Sequence, residues 1–309
     1  MSGPVDLRPF ARALAHELGE PLEAPLLEEL AAEWRYRTDP DHCARYAARC
    51  PVPQADPEEY RLRRLRLEDG QEVLAGIHFK GLDLAWPFVG VRAWTAPDPP
   101  RLPWLARVLG AAFARFQPRA VQVFRRAGTP AGPAAAAELD QHLLVGRVAE
   151  LRALPPPRGH ERLQVRPASE RQADELAAWV ADRYRALHRA RPELTGQVSP
   201  ADAGDLAECA RAEALFEVAV EGELAGLFAA RRGTCLGHHG AEVVEEVLDP
   251  PWWGQGLGPA LQRACLDRLP PGLGPWVWGT IAAPNLASLR TAQRAGRRVA
   301  GAWWFVPCP

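Results

Sequence analysis

Lysine is nearly absent from this 309-residue chain: Lys80 is the only one, although Lys and Arg together number 37. Acidic residues number 38, so the formal net charge is −1. That balance supplies no global attraction to nucleic acid or to an anionic membrane, and neither is expected as a partner. The six cysteines, Cys43, Cys50, Cys209, Cys235, Cys265 and Cys308, contain no C-x-x-C pair. The spacings of zinc and thioredoxin-type sites are therefore missing, no metal is expected, and the thiols read as belonging to a reducing compartment. The opening stretch "MSGPVDLRPF" carries an acid and no apolar core, unlike a signal peptide. No run reaches the roughly 20 apolar residues that span a bilayer. The longest, "AVEGELAGLFAA", is interrupted by Glu221 and Glu223. A soluble, cytoplasmic protein is expected.

Against these absences stands an abundance of arginine, alanine, proline and glycine, and an internal echo. Leu7–Pro9 recurs as Val165–Pro167, Leu74–Ile77 as Leu224–Leu227, Asp98–Pro100 as Asp249–Pro251, and Gly146–Arg147 as Gly296–Arg297. The offsets, 158, 150, 151 and 150 residues, keep one order along the chain. Two copies of one domain of ordinary size follow, with residues 1–153 as the first and 163–309 as the second. The three prolines and the glycine of residues 154–162 read as a stiff linker.

The second copy has a legible alternation of elements. Leu163–Arg166 suits a short strand, and Ser169 with Gln172 forms a capping-box pattern ahead of an amphipathic helix. "ALFEVAV", "LAGLFAAR" and "AEVVEEVL" read as three strands, the first two joined at Glu221–Gly222. A helix from Pro259, a strand over "PWVWGTIA", a helix over "NLASLRTAQRAG" and a last strand over "AGAWWFV" complete it. Three strands in succession predict an α+β fold, a mixed and mostly antiparallel sheet flanked by helices.

The stretch "DPPWWGQGLGP" at 249–259 carries the chemistry. Glycines between a strand and a helix let backbone N–H groups approach an anion, and the helix N-terminus adds its own free N–H groups and positive dipole end. A P-loop needs a lysine that is not there. A dinucleotide fingerprint needs a glycine where Pro259 or Leu261 stands, and an acid near Trp278. The stretch Trp253-Gly254-Gln255-Gly256-Leu257-Gly258 instead resembles the Q/R-x-x-G-x-G/A acyl-CoA turn of the GNAT acetyltransferases in all but its first position. Asn285, Ser288 and Gly296-Arg297 resemble that family's N-x-x-[AS]…G-[FR] helix, in the right order.

The resemblance covers about 163–309 and implies two tandem GNAT-like domains, the second binding acetyl-CoA. It implies cofactor contacts at Val247, Leu248, Trp253, Gly254, Gln255, Gly256, Leu257, Gly258, Pro259, Asn285 and Ser288. Trp253 replaces the family's Arg or Gln; Arg263 and, with Asp267 beside it, less so Arg268 are candidates for the substitute charge, solvated arginines being the default reading. The first copy has "DPPRLPWLARV" in place of the turn, with no glycine and three prolines that lack N–H donors, so it is expected to be a degenerate copy without cofactor.

Deprotonating an amine needs a base, and "AEVVEEVL" offers Glu242, Glu245 and Glu246. Strict alternation puts Glu242 and Glu246 on one face and Glu245 on the other. Glu242, at the place of the family's general base, and Glu246, nearer the thioester, are the expected catalytic residues. The family's tyrosine acid is replaced by Ala292, leaving His238, His239 and Cys235 as possible substitutes. The expected function is acetyl-CoA-dependent N-acetyl transfer to a small amine, an amino acid or a peptide amine. The alternatives are a non-catalytic acyl-CoA-binding protein and an enzyme similar to mycothiol synthase, acting on a sugar-thiol amine.

Overall fold

The computed structural model describes residues 5–95, 101–129 and 136–309. The chain forms two compact units, Met1–Gln141 with Ala300–Pro309, and His142–Val299. This division differs from the expected cut at both ends. Residues 142–162 belong to the second unit, and the last ten residues belong to the first.

The first unit opens with helices α1 (Arg8–Leu18), α2 (Glu23–Thr38) and α3 (Pro40–Arg49), followed by β1 (Arg63–Arg66), β2 (Glu72–Phe79), β3 (Pro87–Trp94), α4 (Leu102–Ala112) and β4 (Ala120–Arg126). Next, β5 (Glu138–Arg147) leads the chain into the second unit. There α5 (Val148–Ala153), β6 (Leu163–Pro167), α6 (Ala173–Ala190), α7 (Ala203–Arg211), β7 (Leu215–Val220), β8 (Glu223–Cys235) and β9 (His238–Leu248) follow. The chain continues through α8 (Leu257–Leu266), β10 (Trp276–Ala282), α9 (Leu286–Arg294) and β11 (Arg298–Pro307), whose residues from Ala300 lie in the first unit.

The expected α+β architecture is present, and one pattern occurs twice. Strands β1-β2-β3 pair antiparallel and β3 pairs parallel with β4 across α4. Strands β7-β8-β9 pair antiparallel and β9 pairs parallel with β10 across α8. β11 pairs antiparallel with β4 in the first unit, and β6 with β7 in the second. Leu74–Ile77 and Leu224–Leu227 both lie in the central strand of such a set, β2 and β8. Leu7–Pro9 opens a helix where Val165–Pro167 ends a strand, and Gly146–Arg147 ends β5 where Gly296–Arg297 precedes β11. Asp98–Pro100 and most of the alanine-rich stretch before β5 lie outside the described residues.

The proline segment is not a free linker. Arg263 of α8 binds the carbonyls of Leu151 at 2.9 Å, Leu154 at 2.5 Å and Arg152. Arg152 in turn binds the carbonyls of Leu266 and Leu269 at the end of α8. Two guanidiniums thus satisfy carbonyls that a helix C-terminus leaves open. Leu151 joins the core of Phe216, Phe228, Leu261 and Val277. Arg263 is therefore structural, and Arg268, bonded to the Ala264 carbonyl, also stays on its own helix. Neither supplies the missing charge at the glycine turn.

The Ser169–Gln172 capping box forms as expected, with Gln172 Oε1 accepting from Ser169 N at 2.9 Å. Helix α7 was not legible as an element; Asp202 caps it through Asp205 N at 2.9 Å.

Candidate functional site

A cleft of about 500 Å³ opens in the second unit between α6, the C-terminal half of β9, the glycine turn and α9. Its floor follows from the pairing of β9 and β10. They pair only from Trp276↔Gly240 to Trp278↔Glu242. Beyond Glu242, the stretch of β9 that carries Val247 and Leu248 has no partner in β10, and both residues line the cleft.

The glycine turn forms one wall, and its glycines serve two physical purposes. Gly254 and Gly256 have φ of +74° and +76°, and a Cβ on either would meet nothing within 4 Å. The backbone conformation excludes side chains there, and the space above it is open. Gly258 has ordinary dihedrals, but a Cβ would lie 2.7 Å from Thr291 Cγ2, so it permits the close approach of α8 to α9. Helix α8 begins at Leu257, with Gly256 as an N-cap that supplies no side chain. Pro259 accordingly sits third in the helix rather than first, still within the turn where a missing N–H is tolerated. A helix N-terminus leaves its first N–H groups without intrahelical partners, the general feature of an anion site.

Ten of the eleven expected contact residues line this cleft: Val247, Leu248, Trp253, Gly254, Gly256, Leu257, Gly258, Pro259, Asn285 and Ser288. Gln255 does not; its side chain turns back to the Pro251 carbonyl at 3.0 Å. Trp253 donates its indole N–H to the Leu248 carbonyl at 2.7 Å, tying the turn to the end of β9. Asn285 Oδ1 accepts from Ser288 N at 3.3 Å and so caps α9.

The acids of β9 are not arranged as strict alternation implied. Ala229 pairs with Glu245 and Ala230 with Val243, leaving Val244 as an extra residue. This β-bulge moves the later residues to the opposite face. Val244 and Val247 pack with Leu176, Val180 and Leu206, whereas Ala241, Val243 and Leu248 pack with Leu261 and Cys265. Glu242 and Glu245 thus share the α6–α7 face, and Glu246 takes the α8 face.

Glu242 does not line the cleft. It binds Arg231 at 2.9 Å, and Arg231 also holds Asp205 and Glu208 of α7 at 3.1 and 3.0 Å. Glu246 lies at the cleft floor, where its Oε2 accepts from Gln262 at 2.5 Å and sits 3.7 Å from Arg297. Burial pushes the Glu246 carboxyl upward, while Arg297 and Gln262 pull it down. Arg297, from the expected Gly296-Arg297 motif, is a buried counter-charge. His238, His239 and Cys235 lie around the β8–β9 turn and do not line the cleft; His238 is buried edge-on against Trp276, with ring centroids 4.7 Å apart. Ala292 is buried with Leu144, Ile281 and Leu289.

Sequence reasoning missed the cleft's arginines and its tyrosine. Arg183, Tyr184 and Arg191 come from α6, Arg290 and Arg294 from α9. Arg183 pairs with Asp249 at 2.8 Å and lies 4.0 Å over Trp179; Arg191 bonds Glu193. Arg290 and Arg294 are exposed, with no ion pair among the described residues. Their signal was available: residues 287, 288, 291 and 294 share a helical face with Asn285's cap, as 184, 187 and 191 do on α6.

No protein-family model and no curated protein sequence matches the chain. Solved structures do. A GCN5-related N-acetyltransferase from Sphaerobacter thermophilus aligns at 15% identity and a TM-score of 0.54, over 98% of this chain and 94% of its own. A GNAT-family acetyltransferase from Colwellia psychrerythraea aligns at 12% identity and a TM-score of 0.50, over 76% of this chain and 81% of its own. At these identities the likeness is one of architecture, and the chain has the fold of the GNAT acetyltransferases.

Proposed function

We propose that the second unit is a coenzyme A-dependent acyltransferase, an N-acetyltransferase that takes acetyl-CoA and a small-molecule or peptide amine. The observation that carries this reading is the cradle at Gly254 and Gly256. Two left-handed glycines with open space above them stand at the head of α8, in a cleft whose floor is an unpaired strand edge. The pyrophosphate fits the N–H groups of 254–258, and the pantetheine arm fits along Val247 and Leu248 opposite Asn285 and Ser288. Arg290 and Arg294 supply cationic charge for the phosphates in place of the residue that Trp253 replaces. In this reading a backbone N–H near Val247–Leu248 holds the thioester carbonyl as charge develops on its oxygen.

The first unit is read as binding no cofactor, so one acetyl-CoA is expected per chain. No helix among the described residues is long and apolar enough to cross a membrane. Nucleic acid and membrane are not proposed as partners, and the cytoplasm is the proposed location.

Isothermal titration with acetyl-CoA tests the reading. We expect one site per chain in the wild type and no detectable binding in Gly256→Asp, which places a side chain and a negative charge in the cradle. Unchanged affinity in that variant overturns the assignment. One feature favours a second reading, an acyl-CoA-binding protein without turnover: Ala292 offers no acid where the resemblance expects tyrosine. Saturable binding without CoA release across a panel of amines would select it.

A further inference from the structure

The two acids expected as bases are engaged elsewhere, Glu242 by Arg231 and Glu246 by Arg297 and Gln262. The remaining acid of β9 is placed differently. We propose that Tyr184 and Glu245 form the proton relay of the transfer site, the Tyr184 phenol meeting the reacting amine and the Glu245 carboxylate holding the proton behind it. The inference rests on the acyl-transfer reading above.

Tyr184 lines the cleft from α6 and donates its hydroxyl to Glu245 Oε1 at 3.1 Å. Glu245 is 3% exposed and has no direct opening to the cleft. Its Oε2 accepts from Ala201 N at 3.0 Å, and its Oε1 also accepts from Glu246 N at 3.0 Å. Three donors thus hold the carboxylate, and Tyr184, which lines the cleft, is the one among them that donates from its side chain. An isolated acid on a buried strand face is costly, and no arginine forms an ion pair with it among the described residues. Burial, reinforced by Glu246, pushes Glu245 up to about 7 against the pull of its three donors. The neighbouring groups on α6 are Tyr184 and His188, whose ring lies 6.0 Å from that of the tyrosine. On α7, Asp205 and Glu208 are held by Arg231. An acid that titrates near neutrality is matched to a proton-transfer role at physiological pH.

The step balances in protons. As the amine nitrogen bonds to the acyl carbon, its proton passes to the Tyr184 oxygen while the Tyr184 proton passes to Glu245. As the carbon–sulfur bond breaks, the same path runs backward: Glu245 returns its proton to Tyr184, which gives one to the leaving sulfur. No separate acid is needed, which suits a site with Ala292 at the position of the family's tyrosine. Tyr184 is the catalytic group, and Glu245 acts through it.

The test uses the full chain, with Tyr184→Phe, Glu245→Gln and Glu245→Asp. Acetyl-CoA affinity, measured by titration, should stay within about threefold of wild type. CoA release on an amine panel should show a wild-type kcat/KM that rises with pH through about 7, because the relay needs Glu245 ionised. Glu245→Gln and Tyr184→Phe should lower the rate at neutral pH by roughly 10²- to 10⁴-fold, and Glu245→Gln should abolish that limb. Glu245→Asp should recover part of both. A second readout needs no turnover. In protein with 13C-labelled glutamate, the carboxyl resonance lost in Glu245→Gln should titrate near pH 7, and higher in Tyr184→Phe, which removes a donor to the ionised form. A resonance titrating in the ordinary carboxylate range overturns the relay, as do rates and profiles unchanged in both variants while acetyl-CoA still binds. Wild-type protein that binds no acetyl-CoA, or binds it without turnover on any amine, sinks the underlying reading and the relay together; turnover that both variants keep at the wild-type rate and pH profile sinks the relay alone.

Discussion

Single residues at this site are decided by backbone geometry more than by residue type. The β9 bulge at Val244 shows this most directly. One extra residue sends Glu246 to the α8 face and leaves Glu242 and Glu245 together on the other. No pattern of apolar and polar residues in "AEVVEEVL" signals the bulge, so the acids were legible as a cluster but not as faces. Glu242 can be separated from the relay experimentally. Its partner Arg231 has a side chain 28% exposed and keeps Asp205 and Glu208 when Glu242 is neutralised. A half-exposed pair of this kind contributes under about 1 kcal/mol. Glu242→Gln should therefore lower the melting temperature by no more than about 2–4 °C. It should leave turnover within about threefold of wild type. A loss of 100-fold or more, on the scale of a positioned base, would return Glu242 to the chemistry.

At the level of elements, the second unit was largely legible because its punctuation is strong. The Ser169–Gln172 box, the Glu221–Gly222 turn and the glycine run each mark a boundary that the structure keeps. Helix α7 was not, because its apolar face is built from alanines around a single large residue, Leu206, with Cys209 beside it, which is a weak periodic signal ahead of "ALFEVAV". The helix faces around the cleft were also missed, since a face becomes functional only once its neighbours are known. Helix α9 illustrates this. Arg290 and Arg294 stand one turn apart, both exposed and both at the cleft. If they meet the phosphates of the cofactor, Arg290→Glu with Arg294→Glu should weaken acetyl-CoA binding by about tenfold or more, which corresponds to about 1.4 kcal/mol. The loss should narrow as salt is raised from about 0.05 to 0.5 M, because exposed charges are screened. Titrations at the two salt concentrations check this. Affinity that is unchanged, or a loss that ignores salt, would assign these arginines to the acceptor or to solvent.

For the whole molecule, the repeat was legible and its boundary was not. Composition marked the prolines of 154–162 as a linker, but contacts that cross from those residues to α8 cannot be read from composition. Arg263 and Arg152 exchange side chains for carbonyls between α5 and α8, Val148 N bonds the Pro275 carbonyl at 3.0 Å, and Arg147 lies 4.4 Å over Trp276. Residues 142–153 are thus part of what closes the second unit. At the other end, Gly301–Pro307 pair along β4 in the first unit. A fragment of residues 163–309 therefore loses Leu151 from its core and the three carbonyls that Arg263 binds, leaving that guanidinium, whose side chain is only 12% exposed, with Asp267 alone among the described residues. A fragment of residues 138–299 keeps β5 and α5. We expect 138–299, which keeps Leu151 and the arginine clasp, to melt cooperatively and to bind acetyl-CoA within about tenfold of the full chain, while 163–309 unfolds without a transition. Circular dichroism melts, sedimentation and acetyl-CoA titration of the two fragments decide it. Cooperative melting and full affinity in 163–309 would show that the boundary lies at the prolines after all, and that the arginine clasp on α8 is dispensable.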